Sequence, residues 1–299
     1  MIHLPPYNPI IQQIESSLTK EKQVNWKVLR LDLIDEITGG NKLFKLKYNL
    51  QEAKKTGLPV LTFGGAFSNH IIATAKACSL NTISCIGIIR GEKPTELNHV
   101  LKAAEEFGMK LHFVSREEYR RRGDAGYQNE LQNKFGQQLI IPEGGGNKIG
   151  VKGCMEILKP IEEEFDFIFT PVGSGGTLAG LALAAPSKTK VIGIAVLKGE
   201  NYLEQSVKDL IGKKHATHWS INHHYHFGGY ANWNYELMEF INKFKSLNGI
   251  QLEQIYSGKL FFAVNDLLKN NFFPAESKIM CLHTGGLFSS KLLTQNLLK

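Results

Sequence analysis

Phe167-Ile168-Phe169-Thr170-Pro171-Val172-Gly173-Ser174-Gly175-Gly176-Thr177-Leu178 sets an apolar run against a glycine-rich turn and the start of a helical pattern. The first six residues read as a buried strand, and Leu178 onward as a helix. The same grammar recurs along the chain. Val60 to Phe63, Thr82 to Ile89, Leu111 to Val114, Leu139 to Ile141, Val191 to Val196 and Ile279 to Leu282 are short apolar, β-branched runs. Helical patterns lie at Ile71 to Cys78, Leu97 to Phe107 and Thr177 to Ala184. This alternation predicts an α/β protein with largely parallel sheets flanked by helices. Ligands in such sheets sit beyond the carboxyl ends of strands, so the turns that follow strands are where function is sought. The polar stretches Arg116 to Tyr127 and Lys198 to Trp233 read as irregular surface segments.

At 299 residues the chain can bury a large core, and its 42% apolar and 21% charged residues are ordinary for a globular protein. No apolar run is long enough to span a bilayer. The start, Met1-Ile2-His3-Leu4-Pro5-Pro6, lacks the pattern of a secretion signal, and a cytoplasmic location is expected. Cys78, Cys85, Cys154 and Cys281 are widely spaced and read as reduced core thiols. The net charge of +7 comes from scattered lysines and arginines. The one dense run, Arg120-Arg121-Arg122, reads as a solvated helix end, so the excess suits anionic small molecules rather than nucleic acid. His223-His224-Tyr225-His226 reads as a surface loop, because no nearby carboxylate or cysteine pattern completes a metal ligand set.

Three turns carry chemistry. Leu43, Leu46, Leu50 and Ala53 keep helical spacing after Gly39-Gly40, with Asn41 as the expected N-cap. That places Lys42 in the first turn, where the helix dipole disfavours an ammonium and favours a nucleophilic amine. An exposed surface lysine is the plainer alternative for this segment alone. Gly64-Gly65 ends a strand, so Ser68, Asn69 and His70 fall at a strand-to-helix turn where backbone N–H groups meet anions. Simple helix capping is the alternative there. Gly173, Ser174, Gly175, Gly176 and Thr177 lack the lysine of a Walker loop and the third glycine of the dinucleotide fingerprint. They still offer a close-approach anion cradle at a helix start, with a plain tight β-to-α turn as the alternative. An amine, a polar clamp and a phosphate cradle are together what a pyridoxal phosphate enzyme needs. A second cluster, Glu143-Gly144-Gly145-Gly146-Asn147, either lines the same cleft or is a flexible connection.

With these segments the chain resembles the family of D-cysteine desulfhydrase and 1-aminocyclopropane-1-carboxylate (ACC) deaminase, among the tryptophan-synthase-β-like enzymes. The resemblance is colinear from about Gly39 to Gly286. It takes in the three turns, Phe227-Gly228-Gly229-Tyr230, Tyr256-Ser257-Gly258-Lys259 and His283-Thr284-Gly285-Gly286. It implies a two-domain fold of type II: residues 48–159 as the small domain, residues 1–47 with 160–299 as the large one. It implies pyridoxal 5'-phosphate as cofactor, a small amino acid as substrate and a homodimer. Lys42 is then the residue that links to the cofactor and moves the α-proton. Gly173 to Thr177 hold the phosphate, Asn69 meets the ring oxygen, and Ser68 and His70 face the substrate. Tyr230 and Tyr256 border the reacting carbon.

Departures from the family pattern steer the choice of reaction. ACC deaminases place a glutamate where Ser257 stands, which strengthens the electron sink at the ring nitrogen. A hydroxyl at Ser257, with Thr284 nearby, implies a weaker sink that still suffices for β-elimination. The expected reaction is therefore release of a β-substituent and ammonia, with D-cysteine as first candidate and ACC deamination as alternative. Phe44 stands where the family has arginine, and Phe67 where it has glutamine. Both losses of polar groups near the site suggest a more apolar pocket, or a binding protein that no longer turns over substrate.

Overall fold

The computed structural model describes residues 2–199 and 202–289. Its strands are β1 (Ile11–Gln13), β2 (Asn25–Arg30), β3 (Val60–Gly65), β4 (Cys85–Arg90), β5 (Met109–Val114), β6 (Leu139–Ile141), β7 (Phe167–Val172), β8 (Lys190–Ala195), β9 (Trp219–Asn222) and β10 (Lys278–His283). They form a six-stranded sheet, β1-β2-β10-β7-β8-β9, and a four-stranded sheet, β5-β4-β3-β6. Every pairing is parallel except β1 against β2. The helices are α1 (Ser17–Glu21), α2 (Asn41–Thr56), α3 (Asn69–Leu80), α4 (His99–Glu106), α5 (Arg116–Arg120), α6 (Ala125–Phe135), α7 (Lys148–Cys154), α8 (Gly176–Ala184), α9 (Tyr202–Ile211), α10 (Tyr235–Asn248) and α11 (Ser257–Lys269).

The apolar runs are buried on both faces. In β7, Phe167 and Phe169 enter a core with Leu260, Phe261 and Val264, while Ile168 and Val172 enter another with Leu178 and Ala182. β10 divides the same way, Ile279 and Cys281 to one face and Met280 and Leu282 to the other. A period of two with apolar residues at every position is what a doubly covered parallel strand requires. The four-stranded sheet is covered by α2, α3 and α4 on one face and by Tyr119, Tyr127 and Leu131 on the other.

Helix α2 joins the two halves. Leu43 and Phe44 pack in the core of the six-stranded sheet, whereas Leu46, Leu50 and Ala53 pack in that of the four-stranded sheet. The two expected irregular stretches are more ordered than their polarity suggests. Residues 116–127 form α5, a 3-10 turn and the start of α6, and Arg120 to Arg122 indeed end a helix. Residues 198–233 contain α9 and the edge strand β9, and His223 Nε2 lies 2.6 Å from Glu204. Leu203, Val207 and Ile211, spaced four apart, supply the buried face of α9. All four cysteines are free and buried, and no described helix is long and apolar enough to cross a membrane.

Candidate active site

The turn after β10 lies on the start of α2. Gly40 has φ 83°, and a side chain there would overlap the Thr284 carbonyl oxygen. That oxygen accepts from Asn41 N–H at 3.4 Å. Asn41 was expected as the N-cap; instead Gly40 holds that position with no side-chain bond, and Asn41 is the first helical residue. Its amide has other duties. Asn41 Oδ1 accepts from Lys42 Nζ at 2.9 Å, and Nδ2 donates to Thr177 Oγ1 at 2.9 Å. The amine is thereby tied to the glycine cradle.

Lys42 lies in the first turn of α2, and its amine is lowered to about 7. Burial is the main cause and the Lys45 ammonium the second, with Cys154 and Glu253 opposing. The direction agrees with the helix-dipole expectation, with loss of water and a like charge each acting the same way. Lys45 is the residue the sequence reading missed. It is buried one turn beyond Lys42, and its Nζ donates to Ser174 Oγ at 3.1 Å and Gly144 O at 3.0 Å. The i, i+3 spacing of two lysines on one helix was the available signal.

The cradle itself follows β7. Gly175 adopts φ 77° at the N-cap of α8 and gives no side-chain cap, so among the described residues the first N–H groups of that helix have no side-chain cap. A Cβ on Gly176 would come 3.3 Å from Lys45 Cε, and one on Gly173 would come 3.4 Å from the Tyr256 ring. Glycines thus let the lysine and the tyrosine lie across the turn. The second glycine cluster lines the same place: Cβ atoms on Gly144 and Gly146 would meet Ser174 at 3.2 and 3.1 Å. Uncapped amides, the Ser174 hydroxyl and a buried ammonium form a fitting seat for a phosphate monoester.

Ser68 caps α3, its Oγ accepting from His70 N–H at 3.2 Å and Ile71 N–H at 3.4 Å. The hydroxyl proton is left to give. Asn69 begins α3, and a side chain on Gly286 would overlap its amide, so the clamp and the turn after β10 are in contact. His70 is buried, with Nε2 2.8 Å from Thr62 Oγ1, whose own proton goes to Ile141 O. Nε2 therefore donates, and Nδ1 is a buried acceptor with no partner among the described residues. Burial and the charges of Lys42 and Lys45 hold the imidazole well below its usual value, hence neutral.

Tyr230 and Tyr256 meet edge to face, ring centroids 6.1 Å apart. Burial raises both phenols, Tyr256 further because Tyr230 and Glu253 lie nearby, so both remain protonated donors. Ser257 differs from expectation. It is fully buried, and its Oγ accepts from Glu253 N–H at 2.9 Å and donates to Glu253 Oε1 at 3.0 Å. The Glu253 carboxylate also accepts from the N–H groups of Ile255, Tyr256 and Ser257. The hydroxyl is thus spent on the start of α11. Phe44 likewise is not a pocket residue near the amine: its ring is buried edge-on against Tyr7 at 4.8 Å. Phe67, 40% exposed and 6.3 Å from the His99 ring, does sit in the turn that leads to Ser68.

Comparison with known proteins supplies the chemical context. The family described as pyridoxal-phosphate dependent enzyme matches residues 14–285. The bifunctional D-cysteine desulfhydrase/1-aminocyclopropane-1-carboxylate deaminase of Arabidopsis thaliana, a mitochondrial protein, is 33% identical over 85% of this chain and 71% of its own length. The D-cysteine desulfhydrase of Klebsiella pneumoniae is 28% identical over 83% of this chain and 82% of that protein. A crystal structure of an ACC deaminase homologue superposes with a TM-score of 0.86 and 28% identity, covering 99% of this chain and 95% of that one.

Proposed function

Because the chain belongs to the family of pyridoxal-phosphate-dependent enzymes, we propose that it is a lyase that removes the β-substituent and ammonia from a small amino acid, D-cysteine first among candidates. The observation that carries this reading is the Lys42 amine, lowered to about 7 and hydrogen-bonded through Asn41 to the phosphate cradle. Bound there, the cofactor supplies an aldehyde for the amine and an electron sink for the α-carbon. Gly173 to Thr177 and Lys45 would hold its phosphate and Asn69 its ring oxygen, and with the Ser257 hydroxyl bonded to Glu253, Thr284 would be the hydroxyl left to meet the ring nitrogen.

The chain's own groups account for the rest. The neutral Lys42 amine would take the α-proton as the base. Ser68 and Asn69, at the start of α3, orient the substrate carboxylate; neutral His70 supplies an acceptor beside them. The protonated Tyr230 and Tyr256 phenols are placed to give a proton to the departing sulfur. For D-cysteine and water the products are pyruvate, hydrogen sulfide and ammonia.

ACC deamination to 2-oxobutanoate and ammonia is the second reading, supported by the named relatives. Absence of a carboxylate at position 257 favours elimination. A binding protein without turnover loses one of its two supports, since Phe44 packs away from the amine. We further propose a boundary at 47/48 and 159/160, as β3 to β6 lie between these points and the other strands outside them. A homodimer and a cytoplasmic location complete the reading, the latter supported by the buried free thiols.

The test is to supply the cofactor-loaded protein with D-cysteine and follow sulfide and pyruvate together. Equal, continuing release that vanishes in K42A is expected. No release from D-cysteine, with 2-oxobutanoate formed from ACC, selects the second reading. An undiminished borohydride-trapped adduct in K42A rejects Lys42 as the linking residue.

A further inference from the structure

Lys259 is fully buried, yet it makes no ion pair among the described residues. Its Nζ instead donates to three backbone carbonyls: His226 O at 2.8 Å, Gly229 O at 2.8 Å and Val196 O at 3.4 Å. Two of these belong to the loop that carries Tyr230, and the third follows β8. Burying an ammonium is costly unless each proton has an acceptor, so a lysine placed this way fixes the groups around it.

The loop needs fixing. Phe227, Gly228, Gly229 and Ala231 all have positive φ, at 53°, 91°, 120° and 59°, and the phenylalanine and alanine values are strained. Gly228 N–H, Gly229 N–H and Asn232 N–H bond only to acceptors within the loop, and the Tyr230 side chain is 42% exposed. What anchors the loop to the body is one face of α11. Tyr225 Oη donates to Asp266 at 2.8 Å, the Phe227 ring meets Phe262 at 5.1 Å, and Lys259 takes the two carbonyls. Residues 259, 262 and 266 are spaced as successive turns of one helix face. The same helix begins just after Tyr256.

We propose that Lys259 is a positioning residue that clamps the 226–229 loop to α11 and so places Tyr230 beside Tyr256 at the reacting end of the site. The clamp explains how a half-exposed tyrosine on a strained loop keeps its edge-to-face contact with a buried one. It rests on the lyase reading only for its catalytic consequence; the loop clamp itself stands apart from it.

The experiment compares cofactor-loaded wild type, K259M and K259R in two measurements. The first is chymotryptic cleavage at Phe227 and Tyr230, followed by mass. K259M is expected to be cut about tenfold faster, and K259R, which keeps donors and charge, within about threefold of wild type. The second is kcat and KM for D-cysteine, or ACC if that is the substrate consumed. K259M is expected to lose about tenfold in kcat with its cofactor absorbance intact, yet under about twofold when Tyr230→Ala is already present. Equal cleavage of wild type and K259M overturns the clamp whatever the activity. A tenfold loss repeated in the Tyr230→Ala background overturns the route through Tyr230. If wild type consumes neither amino acid, the lyase reading fails and cleavage alone decides the clamp. Should K259M fail to fold, K259Q takes its place, with cleavage between those of wild type and the unfolded chain expected.

Discussion

Two lysines three residues apart do different work at the same cradle. Lys42 must be neutral to attack an aldehyde, and burial beside Lys45 lowers it to about 7. The rate at which the apoprotein captures pyridoxal phosphate is expected to rise with pH through about 7 and level off above it, as the amine loses its proton. Lys45→Met removes the like charge, so Lys42 rises and the midpoint of that profile moves to higher pH. The same change removes a charge-assisted donor to the phosphate, weakening equilibrium binding about ten- to a hundredfold. A midpoint that stays put, or a profile that falls with pH, refutes this coupling. Lys42 was legible in the sequence because a glycine pair and a helical period framed it. Lys45 was not, since its value depends on Gly144 and Ser174, which the fold brings in from 99 and 129 residues away.

At the scale of elements, helix starts decide the site, and two of them depend on groups that no local pattern announces. Gly40 is forced into φ 83° by contact with the Thr284 carbonyl, so Gly40→Ala combines strain with overlap. A loss of more than about 3 kcal/mol is expected from its denaturant midpoint. The start of α11 is capped by the Glu253 carboxylate with Ser257 as its partner. Ser257→Ala should therefore cost about 1 kcal/mol of stability and leave kcat within about threefold, whereas Thr284→Ala should lower kcat about tenfold. The reverse order returns Ser257 to the cofactor. Seven strands could be read from their apolar runs, most plainly the central β3, β7 and β10, whose residues are nearly all buried. β1, β2 and β9 escaped: Ile11–Gln13 and Trp219–Asn222 are short and polar, and Asn25–Arg30 mixes charge with a half-buried pattern. A carboxylate reaching forward over four residues to cap a helix has no periodic signature at all.

In the whole molecule the cradle is where the two sheets are joined. Ser174 follows β7 of the six-stranded sheet, Gly144 follows β6 of the four-stranded one, and Lys45 on α2 holds both. In the apoprotein this junction carries two neighbouring amines whose charged forms repel and whose burial is unfavourable. On the proposed reading a bound phosphate monoester would reverse the sign of the local balance, pairing with Lys45, meeting the uncapped start of α8 and drawing the turns after β6 and β7 together. Ligand that binds only the folded state stabilises by mass action, about 2.7 kcal/mol at a hundredfold excess over Kd. Pyridoxal phosphate at that excess should raise Tm by roughly 4 °C. Covalent linkage through Lys42 complicates that comparison, so K42A serves as host, and pyridoxal lacking the phosphate serves as the control. A large shift with pyridoxal phosphate and a small one with pyridoxal locates the stabilisation in the cradle, and adding Lys45→Met should remove most of the difference. Equal shifts from the two compounds would place the binding energy on the ring instead, and the junction between the sheets would then owe nothing to the phosphate.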